Sequence, residues 1–226
     1  MDLTALANRF IESNTLSQES VGTFKEDTVE TGYRFYHVIQ RTYCGRNLFT
    51  PSSAAYYHNN VFKQCPQHHV TPICAVVMPS HTHEIFYCDD VRDISSVRKA
   101  ACRASTVQIK ADLRSKDYSV PSRIFDRKPG YVAIKNRRQL LITLKYIKDN
   151  DQYLQTKNSK APYSCFEYWE KDFFRHYCLE MLESLFGITK AELIELLRKD
   201  KSEVLKFADR FNTEKYKKED YSIFRI

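Results

Sequence analysis

Apolar and polar residues change their spacing several times along the chain, and each change marks an element. Leu3, Leu6, Ala7, Phe10 and Ile11 form a short amphipathic helical pattern, and the stretch from Asn14 to Glu30 that follows is dominated by Ser, Thr and Glu. Residues 1–32 therefore read as an appended helix and a linker. From Tyr33 to Tyr43 aromatic and β-branched residues mix with stretches of period-two alternation, which favours a strand. Ser52 to Gln64 switches to helical spacing at Ala54, Ala55, Tyr57, Val61 and Phe62, and Pro66 stops that helix. The apolar run Ile73 to Met78 and the strand formers of His81 to Cys88 flank Pro79-Ser80, so they read as an antiparallel pair joined by a tight turn.

Residues 94–114 return to helical spacing at Ile94, Val97, Ala101, Ile109 and Leu113, although Thr106 to Ile109 also suits an extended segment. Tyr131 to Ile134 is a short strand. Asn136 with Gln139 resembles a capping box that opens a helix with apolar positions at Leu140, Leu141, Leu144 and Ile147. The order β-α-β-β-α-β, then a helix, predicts an α+β fold: a ferredoxin-like antiparallel sheet with two helices packed on one face. Beyond it the pattern is helical. Ser164 with Glu167 and Thr189 with Glu192 predict capped helices across Cys165 to Leu185 and Lys190 to Arg198, and a third helix covers Ser202 to Phe211. The expected organisation is an N-terminal helix and linker over 1–32, a central α+β domain over 33–155 and a helical C-terminal extension over 156–226.

Composition narrows the function classes. Only five glycines occur among 226 residues, and none is placed for a GxGxxG turn, a GxxxxGK phosphate loop or a GxSxG nucleophile elbow, so no nucleotide cofactor is expected. Lys and Arg outnumber Asp and Glu by 35 to 28, a net charge of +7 that favours an anionic partner. The seven cysteines are an odd number without a CxxC pair, which predicts free thiols in a reducing, cytoplasmic setting rather than a structural zinc site. No apolar run approaches a membrane-spanning length, so no membrane partner is expected.

The sharpest local feature is Met78-Pro79-Ser80-His81-Thr82-His83-Glu84. Residues i and i+2 of a strand share a face about 7 Å apart, so two imidazoles can converge on one ion. A bare HxH is a common accident, and more often its histidines are satisfied core or surface residues. The second feature is Lys145-Tyr146-Ile147-Lys148-Asp149-Asn150, where Tyr146 and Asn150 share a helix face. Tyrosine can serve as a covalent nucleophile, and an amide oxygen suits a hard cation. Alone, Tyr146 would pass as a half-buried ring at an amphipathic helix end.

In combination these segments resemble a known family. A strand ending in Met-Pro-Ser-His-Thr-His, a helix, Phe125-Asp126-Arg127, a short strand and a helix with Tyr-x-x-x-Asn are similar to the single-tyrosine HUH transposases, especially the REP-associated tyrosine transposases. Tyr36-His37-Val38, Gln40-Arg41 and the Leu140-Leu141 pair leading into Lys145-Tyr146-Ile147 extend the likeness over about residues 33–155. The resemblance implies a transposase and single-strand endonuclease that cleaves and rejoins hairpin-associated single-stranded DNA through a 5′-phosphotyrosine. It makes His81 and His83 ligands of Mg²⁺ or Mn²⁺, Tyr146 the nucleophile and Asn150 the third ligand. The chain departs from the family at Thr82, where a plain hydrophobe is usual, and after Asn150, which continues Asp151-Gln152-Tyr153-Leu154. Some relatives work as dimers, so a homodimer is one arrangement the resemblance admits. The alternative is a relative that binds structured nucleic acid without cleaving it, and a zinc hydrolase built on His81 and His83 is a third reading.

Expected DNA contacts are Arg41, Arg46, Arg123, Arg127, Lys128, Arg137, Arg138 and Lys145, with Arg34 and Arg98 among further basic residues near the sheet. Any one of them alone reads as a solvated surface charge. Tyr33, Phe35 and Tyr36 could stack on bases, although strand aromatics are more often core. Lys145 or Lys148 could lower the phenol pKa of Tyr146. Because imidazole binds metal only when neutral, activity is expected to fall below about pH 6. Cys65, His68 and His69 read as a loop, and Glu84, Asp89 and Asp90 as surface carboxylates. The Thr189 to Leu197 helix reads as a tail packed on the core, ahead of a duplex-reading helix-turn-helix.

Overall fold

Strand formers in Phe35–Arg41 build β1, which lies inside the sheet, one strand from its edge. The computed structural model describes residues 34–150, 161–167, 169 and 179–211. Among these, β2 is Thr71–Val77, β3 His81–Tyr87, β4 Gly130–Ile134 and β5 Tyr163–Ser164. The sheet order is β4-β1-β3-β2-β5, and every pairing is antiparallel. Its first four strands follow the order of the split βαβ, or ferredoxin-like, arrangement, so the fold is α+β as the pattern predicts.

Six α-helices accompany the sheet in the described residues: α1 (Pro51–Gln64), α2 (Val91–Ser115), α3 (Arg137–Lys148), α4 (Leu179–Phe186), α5 (Lys190–Arg198) and α6 (Lys201–Ala208). Thr50 and Ser53 close a capping box at the start of α1, with Pro51 in the first turn, where its missing N–H costs nothing. Asp90 caps α2, which buries Val91, Ile94, Val97, Ala101, Ile109 and Leu113 along one stripe and stays helical through Thr106 to Ile109. Asn136 caps α3 by accepting from the Gln139 N–H, while the Gln139 side chain turns back to accept from Lys135 instead.

Register decides which strand residues share a side. Phe35, His37, Ile39 and Arg41 of β1 lie opposite Tyr87, Ile85, His83 and His81 of β3 and face one way; Tyr36, Val38 and Gln40 lie opposite Phe86, Glu84 and Thr82 and face the other. The two crossover helices, α1 and α2, pack together and send Tyr57 and Arg98 to Glu84 on the second side. Helix α3 covers the first side, where its Tyr146 meets His83 and His37. In turn α5 and α6 pack on the outer surface of α3, so the C-terminal helices buttress the helix that carries the tyrosine.

The sequence expectation fails at Ser164. Ser164 is not a helix cap: Tyr163 and Ser164 pair with Val77 and Val76 on the edge of β2, and Cys165–Glu167 makes a single 3₁₀ turn. An edge strand offers unpaired N–H and C=O groups, and these two residues take them up. The Ala75 N–H also donates to the Cys165 sulfur at 3.3 Å. The sheet thus draws its fifth strand from beyond residue 155. Thr189 and Glu192 do form the expected reciprocal cap of α5, and α6 starts one residue early, at Lys201 on an Asp200 cap. Gly187, at φ +63°, ends α4 in the left-handed conformation that glycine takes without strain, its N–H donating to Glu183. The expected N-terminal helix, Tyr33 and the segment after Asn150 lie outside the described residues. No described helix is long and apolar enough to cross a membrane.

Candidate functional site

Strand β3 opens His81-Thr82-His83-Glu84, and the pleat sends these side chains alternately to the two faces. On the α3 side the Nε2 atoms of His81 and His83 face each other at 3.1 Å. His81 Nδ1 lies 3.1 Å from Ser80 Oγ, and His83 Nδ1 lies 3.0 Å from His37 Nε2. The His37 and His83 rings stack with centroids 5.2 Å apart, whereas His81 stands edge-on to His83. Three imidazoles and a hydroxyl thus form one continuous array across two strands.

Burial keeps that array uncharged. Desolvation pushes His37 down to about 4, and desolvation with the nearby Arg41 charge pushes His81 to about 4. His83 falls well below the ordinary histidine range through burial, then through His37, His81 and Arg41. The folded site resists protonation further than a free imidazole does, so these histidines stay neutral below the pH 6 expected from an unperturbed imidazole.

Tyr146 completes the arrangement from α3. Its ring meets His83 edge-to-face at 5.4 Å and His37 at 6.2 Å between centroids, within the same chain. Asn150, one turn later, is buried, and its Nδ2 has no hydrogen-bond partner among the described residues. Turning that amide by half a rotation places Oδ1 at the same spot, an acceptor suited to a hard cation. Two nitrogens about 3 Å apart match neighbouring positions around one ion at metal–nitrogen distances of about 2.1 Å. The two facing imidazoles therefore fit a divalent ion, and Asn150 carries a buried amide without a partner among the described residues on the turn after Tyr146. No group of three or more His, Cys, Asp or Glu side chains among the described residues could hold a metal. His37, the third histidine, sits behind His83 on its Nδ1 side.

The opposite face of β3 holds a different polar cluster. Glu84 and Arg98 form a buried ion pair at 1% and 2% exposure, and Thr82 and Tyr57 each donate to the same Glu84 oxygen. Burial works against the Arg98 charge, but Glu84, together with Tyr57, Cys102 and Tyr131, outweighs it and raises the guanidinium above its ordinary range. Two expectations are corrected here. Glu84 is not a surface carboxylate, and Arg98 is sequestered from any DNA strand; the register of β3 and the stripe of α2 turn both inward.

The remaining basic residues divide by what holds them. Arg41, Arg46, Arg127 and Lys128 are exposed, with Arg41 directly opposite His81 in the sheet register. Arg123 is exposed too and lies over the Tyr43 ring at 5.3 Å. It borders an open cavity of about 310 Å³ lined by Cys102, Arg103, Thr106, Ser122, Arg123, Ile124 and Phe125. Arg137 donates to the Leu185 carbonyl and Arg138 pairs with Asp209, so both tie α3 to the C-terminal region. Lys145 is a correction: it is buried, and its ammonium binds Asp149 and the Leu197 carbonyl, which removes it from a DNA surface. Arg34 is likewise buried, bonded to the Tyr87 hydroxyl and paired with Asp89. Phe35 and Tyr36 belong to the core and offer no stacking platform. His37 and Ser80 are the site residues that local spacing missed, because each matters through a partner set by the fold.

No family model matches the chain, and no curated protein matches it either. Among solved structures it is similar to a REP-associated tyrosine transposase bound to a REP hairpin, at 16% identity and a TM-score of 0.46, over 63% of this chain and 82% of that one.

Proposed function

We propose that the chain is a metal-dependent tyrosine endonuclease that cleaves single-stranded DNA next to a hairpin and rejoins it. The observation that carries this reading is the meeting, on one face of the sheet, of the Tyr146 ring with the facing Nε2 atoms of His81 and His83. Phosphodiester transfer by a side chain needs a nucleophile fixed beside the phosphorus and positive charge to balance what builds up on the phosphate oxygens. Mg²⁺ or Mn²⁺, when bound by His81, His83 and Asn150, supplies that charge.

The chain's own residues do the rest. Helix α3, braced by α5 and α6, holds the Tyr146 ring against His83, so the nucleophile needs no long reach. As the phenol oxygen bonds to phosphorus, the bond to the 3′-oxygen breaks; the phenol loses one proton and the leaving oxygen gains one. The products are a 5′-phosphotyrosine and a free 3′-hydroxyl. The phosphotyrosine preserves the energy of the broken bond, so a second 3′-hydroxyl can reverse the step without a nucleotide cofactor. Arg41, exposed on β1 opposite His81, offers a fixed charge to the strand entering the site, and Arg46, Arg123, Arg127 and Lys128 offer further phosphate contacts. Because Tyr146 meets histidines of its own chain, the reading does not require a second copy to complete the site.

The test is incubation of the full chain with Mn²⁺ and a DNA hairpin carrying a single-stranded flank. A covalent protein–DNA adduct is expected on a denaturing gel, and Tyr146→Phe should abolish it. A Tyr146→Phe protein that still cleaved at the wild-type rate would overturn the assignment. Binding without any adduct in the wild-type protein would favour the non-cleaving reading.

A further inference from the structure

His37 lies outside the proposed ligand set, yet its place determines what His83 can do. A neutral imidazole carries one N–H and one lone pair, and binding an ion through Nε2 requires the proton on Nδ1. The His37–His83 contact at 3.0 Å and the His81–His83 contact at 3.1 Å can be satisfied in two ways. In one, His83 donates from Nδ1 to His37, and its bare Nε2 accepts from His81 Nε2. In the other, His37 donates to His83 Nδ1, and His83 uses its Nε2 proton on His81.

We propose that His37 is the positioning residue of this site: its Nε2 accepts the Nδ1 proton of His83 and so keeps His83 Nε2 bare toward His81. Three features of the fold support the role. Pairing of Ile39 with His83 and of His37 with Ile85 puts the two rings on one face of neighbouring strands, nearly parallel at 22°. Both side chains are 3% exposed, so little water competes for the Nδ1 proton. Ser80 Oγ, 3.1 Å from His81 Nδ1, can take the proton there once an ion displaces the one that His81 Nε2 shares with His83 Nε2, so both Nε2 lone pairs then turn to the ion. Second-shell acceptors of this kind fix the tautomer and orientation of ligating histidines. The inference rests on the metal-dependent reading above for what the bare Nε2 binds, but not for the tautomer itself.

The experiment uses the full chain labelled with ¹⁵N-histidine. Two-bond ¹H–¹⁵N spectra of the metal-free protein should show His83 protonated at Nδ1; protonation at Nε2 would overturn the inference without any variant. Mn²⁺ titration by calorimetry then compares His37→Phe, which keeps a stacked ring but offers no acceptor, with His37→Gln, whose amide oxygen can accept. Affinity should fall by about 10- to 100-fold in His37→Phe and largely return in His37→Gln. Wild-type affinity in a folded His37→Phe protein, or equal loss in both variants, would sink the positioning role. A wild-type chain that binds no Mn²⁺ would instead remove the metal-dependent reading, while the spectra still decide the tautomer.

Discussion

The two faces of β3 carry polar clusters of opposite logic. Toward α1 and α2, Glu84 and Arg98 neutralise each other, and Thr82 and Tyr57 add hydrogen bonds to the carboxylate. Toward α3, His37, His81 and His83 are held neutral by burial, with no carboxylate in the array. A charge buried without compensation is costly, so the first cluster supplies both signs from within the chain. The second avoids charge and sets the Nε2 atoms of His81 and His83 face to face, where the proposed reading puts a cation. One cluster closes on itself, and the other holds the imidazole nitrogens that the proposed reading gives to a metal.

Breaking the closed face should produce the largest effect on stability. Arg98→Met leaves the Glu84 carboxylate buried and without its counter-ion, and removing one partner of such a pair costs about 3–5 kcal/mol. Urea denaturation should show that loss, and Glu84→Leu with Arg98→Met should regain most of it, since an apolar pair of similar volume needs no compensation. A single variant as stable as the wild type would mean that water reaches the pair and that the two faces differ less than described.

Acid should act on the histidine face. An unfolded histidine titrates near 6.5, whereas burial pushes His37 and His81 in the folded chain down to about 4 and His83 well below the ordinary histidine range. Between those values the unfolded chain binds protons that the folded chain refuses, so stability falls as pH drops from about 6.5 and levels off below the folded values. Denaturation midpoints at pH 7, 6 and 5 measure the slope. A flat profile would mean that the histidines are not desolvated, which would remove the contrast between the faces.

How much of this contrast the sequence holds depends on the length scale of each signal. Alternation and helical spacing made β1 to β4 and α1 to α3 legible, and the order of those elements carried the sheet topology. His81, His83 and Tyr146 stood out through HxH and Tyr-x-x-x-Asn, but only a family resemblance joined two motifs more than sixty residues apart. His37 did not stand out, because its partner is set by the β1–β3 register across 46 residues. Arg98 carried a local signal: it follows Ile94 by four residues and precedes Ala101 by three, on the buried stripe of α2. Lys145 follows Leu141 by four in the same way on α3, where its stem packs inward and its ammonium reaches Leu197. The two-residue β5 is too short to carry any period of its own.

The smallest expected effect compares the two supports within the histidine face. Ser80 stands to His81 as His37 stands to His83, but Ser80 and His81 are only half-buried, so a water molecule can replace the lost hydroxyl. The Ser80 backbone is held apart from its side chain, because both the Thr42 N–H and the Thr42 hydroxyl donate to its carbonyl. Ser80→Ala should therefore leave the turn in place and cost at most about 1 kcal/mol, the scale of one neutral hydrogen bond. Its Mn²⁺ affinity should drop only a few-fold, well short of the His37→Phe loss, because solvent can keep His81 in the right tautomer. Calorimetry on both variants ranks them directly. If Ser80→Ala lost more affinity than His37→Phe, burial would not be what makes a histidine depend on its supporting partner.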